Sequence, residues 1–142
     1  MKEQNYKNHI RLLFLWHGLV FFAILALIVG SIINLKNSAS ENKYSASLLV
    51  VVSIVLAFIW AFARLFALKA QDRAIRAEEN FRFFILTGKP LDKQLRLGQI
   101  IALRFASDDE LPALAKKAVD EKLSPKQIKE SIQSWKGDYH RV

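Results

Sequence analysis

The chain contains no cysteine, which removes disulfides, thiolate zinc sites, iron–sulfur clusters and Cys nucleophiles from the functions open to it. Glycine is scarce: there are five in 142 residues, and none belongs to a GxGxxG or GxxxxGK(S/T) loop. A phosphate cradle of that kind, and with it an ATP engine, is therefore missing. His9, His17 and His140 stand too far apart in sequence to suggest a metal site. A nucleophile–His–acid set could be assembled only by choosing among many serines. No catalytic, cofactor-binding or metal-ligating residue is expected, and the chain reads as a non-enzyme. The absence with the largest consequence is of charge. Leu12–Leu35 and Ser45–Ala63 contain no Lys, Arg, Asp or Glu, and only nine residues separate them.

A helix needs about 20 mostly apolar residues to cross the roughly 30 Å of bilayer hydrocarbon, and the two runs have 24 and 19. Backbone amides in lipid must be satisfied internally, so each run should be helical. The short connection, 36–44, makes them an antiparallel transmembrane hairpin. The first run exceeds the 7–15-residue apolar core of a cleaved signal, and Ser38-Ala39-Ser40 is the one candidate cut; retention as a helix is expected. Residues 1–63 thus read as a membrane anchor with helices at about 12–35 and 45–63. Residues 64–142 read as a cytosolic helical domain carrying 16 Lys/Arg against 11 Asp/Glu.

Orientation follows from the flanks, because basic residues stay on the cytoplasmic side. Lys2, Lys7 and Arg11 precede the first run, and Arg64, Lys69, Arg73 and Arg76 follow the second, against Lys36 and Lys43 in the loop. Both termini are therefore expected in the cytoplasm, with the loop outside. Trp16 and Trp60 fall at one interface with Arg11 and Arg64, and Tyr44 falls at the other, where amphipathic rings anchor helices. Small residues recur at four-residue spacing: Ala26 and Gly30 on the first helix, Ser53, Ala57 and Ala61 on the second. Such stripes let helices approach closely in lipid, either within the hairpin or between copies. His17 is the titratable group inside a span; its shallow depth fits a side chain reaching interfacial water.

From Arg64 to Leu86 there is no Gly or Pro, so the second helix should continue past the bilayer to Gly88 and Pro90, about 40 residues or roughly 60 Å. Asp72–Arg76 and Glu78–Arg82 stand at the acid-first i,i+4 spacing that supports an exposed helix. Three short helices are expected beyond, at about 92–106, 108–121 and 125–136. Asp92 would cap the first, and Ser107-Asp108-Asp109-Glu110 and Ser124-Pro125-Lys126-Gln127 form capping boxes for the others. Ile128, Ile132 and Trp135 give the last helix one apolar face. Phe81, Phe83, Phe84, Ile100, Ile101, Phe105, Ile132 and Trp135 would build this domain or cover a partner. The fold class is all-α.

The basic cluster Lys69, Arg73, Arg76 and Arg82 can set topology, attract anionic lipid or dock a partner. Residues 110–135 also resemble a degenerate helix-turn-helix in which Lys126, Gln127, Lys129 and Gln133 would face DNA. Against this, Val119–Lys122 lengthens the turn, and Asp108, Asp109, Glu110, Asp120 and Glu121 repel a duplex. Nucleic acid is therefore an unfavoured partner.

Four stretches carry a family likeness: Glu3–His9, Tyr44–Leu48, Ala63–Asn80 and Gln99–Asp108. Together they resemble a family of small bacterial inner-membrane proteins bearing a domain of unknown function, some labelled as ABC transporter permeases. The resemblance implies two spans in the inner membrane, no catalytic residues, and company with a transport complex. The leading expectation is a non-enzymatic membrane protein whose cytosolic helices dock a membrane-protein partner, as an accessory subunit. A membrane-tethered DNA binder and a self-associating scaffold are the alternatives.

Overall fold

A computed structural model describes residues 4–6, 8 and 13–139. The described chain is all-helical and forms no strand, only one isolated bridge between Ala106 and Trp135. A π-helical turn, Leu15–Val20, leads into α1, Phe21–Asn37; a 3-10 turn, Ser40–Asn42, leads into α2, Lys43–Thr87. Three short helices follow: α3, Leu97–Leu103; α4, Leu111–Asp120; and α5, Pro125–Ser131. The first two long helices are apolar and long enough to cross a membrane. The chain divides into two compact units, Arg11–Phe66 and Met1–Ile10 with Ala67–Val142, so α2 contributes to both.

Within Arg11–Phe66, α1 and α2 meet through Ser31 and Ser53, whose hydroxyls lie 3.3 Å apart, and through Phe21 and Trp60, whose rings are 5.7 Å apart. Each hydroxyl is also within donating distance of its own helix, Ser31 of Ile28 O at 2.9 Å and Ser53 of Val50 O at 2.7 Å, so its single proton serves one contact at a time. The π turn was unforeseen. Such single turns concentrate at special sites in helices, and here it holds Trp16, His17 and Gly18.

In the other unit, α2 ends at Thr87 because Gly88 takes a left-handed φ of 70°, a conformation open to glycine. The chain then turns back under side-chain control: Asn80 Oδ1 accepts the Leu91 amide at 3.0 Å, and Asp92 Oδ1 accepts the Gln94 amide at 2.8 Å. Asp92 therefore caps a turn, and α3 starts five residues later than expected. Gln99 sets that start, taking the Arg96 amide at 2.8 Å while donating to Leu123 O at 2.8 Å. α4 is amphipathic, burying Leu111, Leu114, Ala115 and Ala118 at helical spacing. These join Leu91, Leu95, Ile100, Leu103 and Ile128 in one core, with Phe83, Val119 and Ile132 packed against it.

Two local expectations part company here. Ser124 and Gln127 form the capping box at α5, with Pro125 at its first turn. The Ser107 box does not form. Instead the Glu110 carboxylate accepts the amides of Gln133 and Ser134 at 3.0 and 3.2 Å, two donors that a returning chain segment presents side by side. That same segment shortens the last helix. Lys136 N donates to Phe105 O and Ser107 N to Ser134 O, so Ile132 onward is extended. Trp135 thus belongs to no helix face; it stacks on the fully buried Phe105 with centroids 4.5 Å apart.

Candidate functional site

Trp16 and Trp60, placed by sequence at one interface, are brought together: their rings stack with centroids 6.1 Å apart, and Trp60 Nε1 donates to Trp16 O at 3.2 Å. Phe21 completes this aromatic group. His17 turns inward on its own turn, its Nδ1 3.0 Å from Leu13 O. Tyr44 is exposed and Arg64 half-buried, while Arg11 lies outside the described residues. The small-residue stripe divides between the two helices. Ser53 is buried and Ala57 and Ala61 are half-buried, but Ala26 and Gly30 are exposed, and a Cβ built on Gly30 would meet nothing within 4 Å. The side of α1 that meets α2 is instead the one carrying Ser31, where one hydroxyl finds another. Four-residue spacing defines a face without saying what it faces.

The basic cluster also divides. Lys69, Arg73 and Arg76 are exposed. Arg82 is not available to lipid or to a partner: its side chain is only 13% exposed and it is held from three sides. Nη1 pairs with Glu79 at 2.9 Å, Nε donates to Asp108 Oδ1 at 2.6 Å, and Nη2 donates to Ala106 O at 2.7 Å. The guanidinium fork suits three acceptors at once, and it binds α2 to the segment after α3. The hydrogen bond from Arg82, reinforced by its charge, holds the Asp108 carboxyl below its ordinary value. Neither expected i,i+4 pair forms, and Glu79, three residues before Arg82, takes the place of Glu78.

Of the residues expected to build the domain or cover a partner, Ile100 and Phe105 are buried, and Phe83, Ile101, Ile132 and Trp135 are half-buried. Phe81 and Phe84 are left out, at 65 and 50% exposure, and Ile85 beside them, which was not among those expected, is 66% exposed. Their spacing of three and one puts them on one side of α2. A cavity of about 480 Å³ opens beside them, apolar at Phe81, Ile85 and Leu86 and rimmed by Glu78, Asp108 and Lys136.

The helix-turn-helix residues are occupied otherwise. α5 has only seven residues; the Gln127 side chain closes the Ser124 cap, Lys126 pairs with Glu130 at 3.8 Å, and Lys129 Nζ sits 5.5 Å from the Phe105 ring centre. Gln133 lies beyond the helix. Among the described residues no group of three or more acidic or histidine side chains is placed to hold a metal.

No curated protein and no solved structure is significantly similar to this chain. One family model does match, over residues 1–142, and the chain belongs to that family, DUF6526, a family of unknown function.

Proposed function

We propose that the protein is a non-enzymatic integral membrane protein. It crosses the bacterial inner membrane twice as an antiparallel hairpin, with both termini cytoplasmic. The unit built on Ala67–Val142 docks a membrane-protein partner through Phe81, Phe84 and Ile85, as an accessory subunit. The carrying observation is that these three large apolar side chains stay exposed on a unit whose own core is closed around Phe105, Leu103 and Ile128. A contiguous apolar patch rimmed by polar groups marks an interaction surface. Insertion draws support from the length of the two apolar helices, the outward aim of their large side chains, and the excess of Lys/Arg flanking them.

A photo-crosslinking residue at Phe84 of the full chain, activated in intact cells, tests the docking reading. A discrete heavier band is expected, and it should be lost when Phe81→Ser and Ile85→Ser are added. Adducts to lipid alone, or no band, reject it. Extraction from membranes by carbonate at high pH would reject insertion.

A second reading is favoured by one observation. Ala26 and Gly30 face away from α2 with open space at Gly30, so this close-packing stripe is free for another helix in the bilayer. Under the scaffold reading Gly30→Leu breaks a defined oligomer in mild detergent; an unchanged oligomer, or a monomer from the start, discards it.

A further inference from the structure

Arg73 and Arg76 lie on one side of α2 with Ala77 and Asn80, at the i, i+3, i+4, i+7 spacing of a helix face. The turn after α2 brings Pro90–Lys93 opposite them, fixed by Gly88 and by the bond from Leu91 N to Asn80. Between the two walls is a cavity of about 420 Å³, within the roughly 300–1,000 Å³ of small-ligand sites. Its base is apolar, made by the buried Leu91, Leu95 and Ile100; its rim carries Arg73, Arg76 and Lys93. All three cations are exposed, and none has an ion pair among the described residues. The one acid at the cavity, Asp92, is engaged by the Gln94 amide. Three cations against one carboxylate leave an excess positive charge over an apolar floor.

We propose that this cleft binds a phosphate-bearing anion of the class carried by anionic lipid headgroups. Arginine forks match phosphate oxygens in pairs, and lysine adds a point charge. The contrast with Arg82 sharpens the assignment: that arginine meets two carbonyls and two carboxylates of its own chain, whereas Arg73 and Arg76 meet none. Sequence spacing groups Arg73 and Arg76 with Lys69 and Arg82. The fold regroups them with Lys93.

The test uses the full chain in zwitterionic detergent, titrated with dioctanoyl phosphatidylglycerol, dioctanoyl phosphatidylcholine, inorganic phosphate and pyrophosphate. Saturable binding of phosphatidylglycerol over phosphatidylcholine is expected. The triple variant R73Q/R76Q/K93Q should bind on the order of a hundredfold more weakly, from roughly fivefold per cation at an anionic surface. K116Q/K117Q/K126Q removes equal charge elsewhere and should bind as the parent does. The milder R73K/R76K, keeping the charge but losing the forks, should fall between. Binding of phosphate or pyrophosphate with the same residue dependence and no preference for the lipid upholds the anion site and assigns it to a soluble phosphate compound. The site is overturned if no probe binds saturably, if both lipids bind alike and neither phosphate nor pyrophosphate binds, or if the two triple variants lose binding equally. Failure of crosslinking at Phe84 bears on docking alone, since the cleft uses none of those side chains.

Discussion

Among the described residues of Arg11–Phe66 the buried side chains are Ser31, Ala46 and Ser53, while the phenylalanines, valines and isoleucines around them point outward. In Ala67–Val142 the order is reversed: leucines, isoleucines and Phe105 are inside, and lysines and glutamates cover them. One chain, with one helix shared between the units, thus carries two kinds of surface, the arrangement that the proposed membrane insertion requires. Water drives large apolar surface together. Lipid would not, because its tails are as apolar as leucine, so in the proposed bilayer setting close packing would bring the helices together. As support for the proposed insertion, the inversion carries more weight than the length of the apolar runs, since a buried core helix can be as long and as apolar.

Phenylalanine truncation breaks this comparison most sharply. Phe105→Ala should destabilise the charged unit by about 3–5 kcal/mol, since the ring is fully buried under Trp135. Phe58→Ala, on a side chain pointing outward from α2, should change stability by less than about 0.5 kcal/mol. Denaturant titration of the full chain in detergent, following protease protection around the α3–α5 core, measures both. Equal losses would mean that the two units share one kind of interior.

The charged side chains supply the next contrast. Arg82→Ala leaves Ala106 O and two carboxylates without their donor and should cost about 1–3 kcal/mol. Lys126→Ala opens an exposed pair with Glu130 and should cost less than about 0.5 kcal/mol. Should the two variants melt alike, the inward turn of Arg82 would be a surface accident.

How much of this was legible beforehand depends on the distance over which each signal acts. An uncharged run declares a long apolar helix from composition alone, so the two long helices could be read directly. The α5 cap was legible because Ser124 and Gln127 are three residues apart and nothing competes for them. The Ser107 cap carries the same local pattern and failed, because Gln133 and Ser134 compete for the Glu110 carboxylate from 23 and 24 residues away. Arg82 turned inward for the same kind of reason, its partners Ala106 and Asp108 lying beyond a loop and α3. Trp135 sits at helical spacing, but its surroundings are set by Phe105. For the candidate sites, Phe81 and Phe84 were expected to build the domain or cover a partner, whereas their lying uncovered beside Ile85 had no sequence signal. Lys93 had no sequence signal joining it to Arg73 at all.

The smallest effect is also the most specific to the charged unit. Arg82 holds the Asp108 carboxyl below its ordinary value of 3.8, by a hydrogen bond first and by charge second. A group whose folded value is depressed stabilises the fold above its unfolded value and loses that contribution as pH falls through the folded one. Asp108→Asn should therefore lower the stability of the charged unit at pH 7, and the difference from the parent should shrink to nothing as pH drops below 3.8. Because the Asp108 side chain is 61% exposed, the pH 7 difference belongs in the range of solvated pairs, about 0–1 kcal/mol. Paired denaturant titrations at pH 7 and at the acid end measure it. A difference that stays constant across that span would assign the Arg82–Asp108 contact a neutral hydrogen-bonding role, leaving Glu79 and Ala106 O as the partners that anchor Arg82.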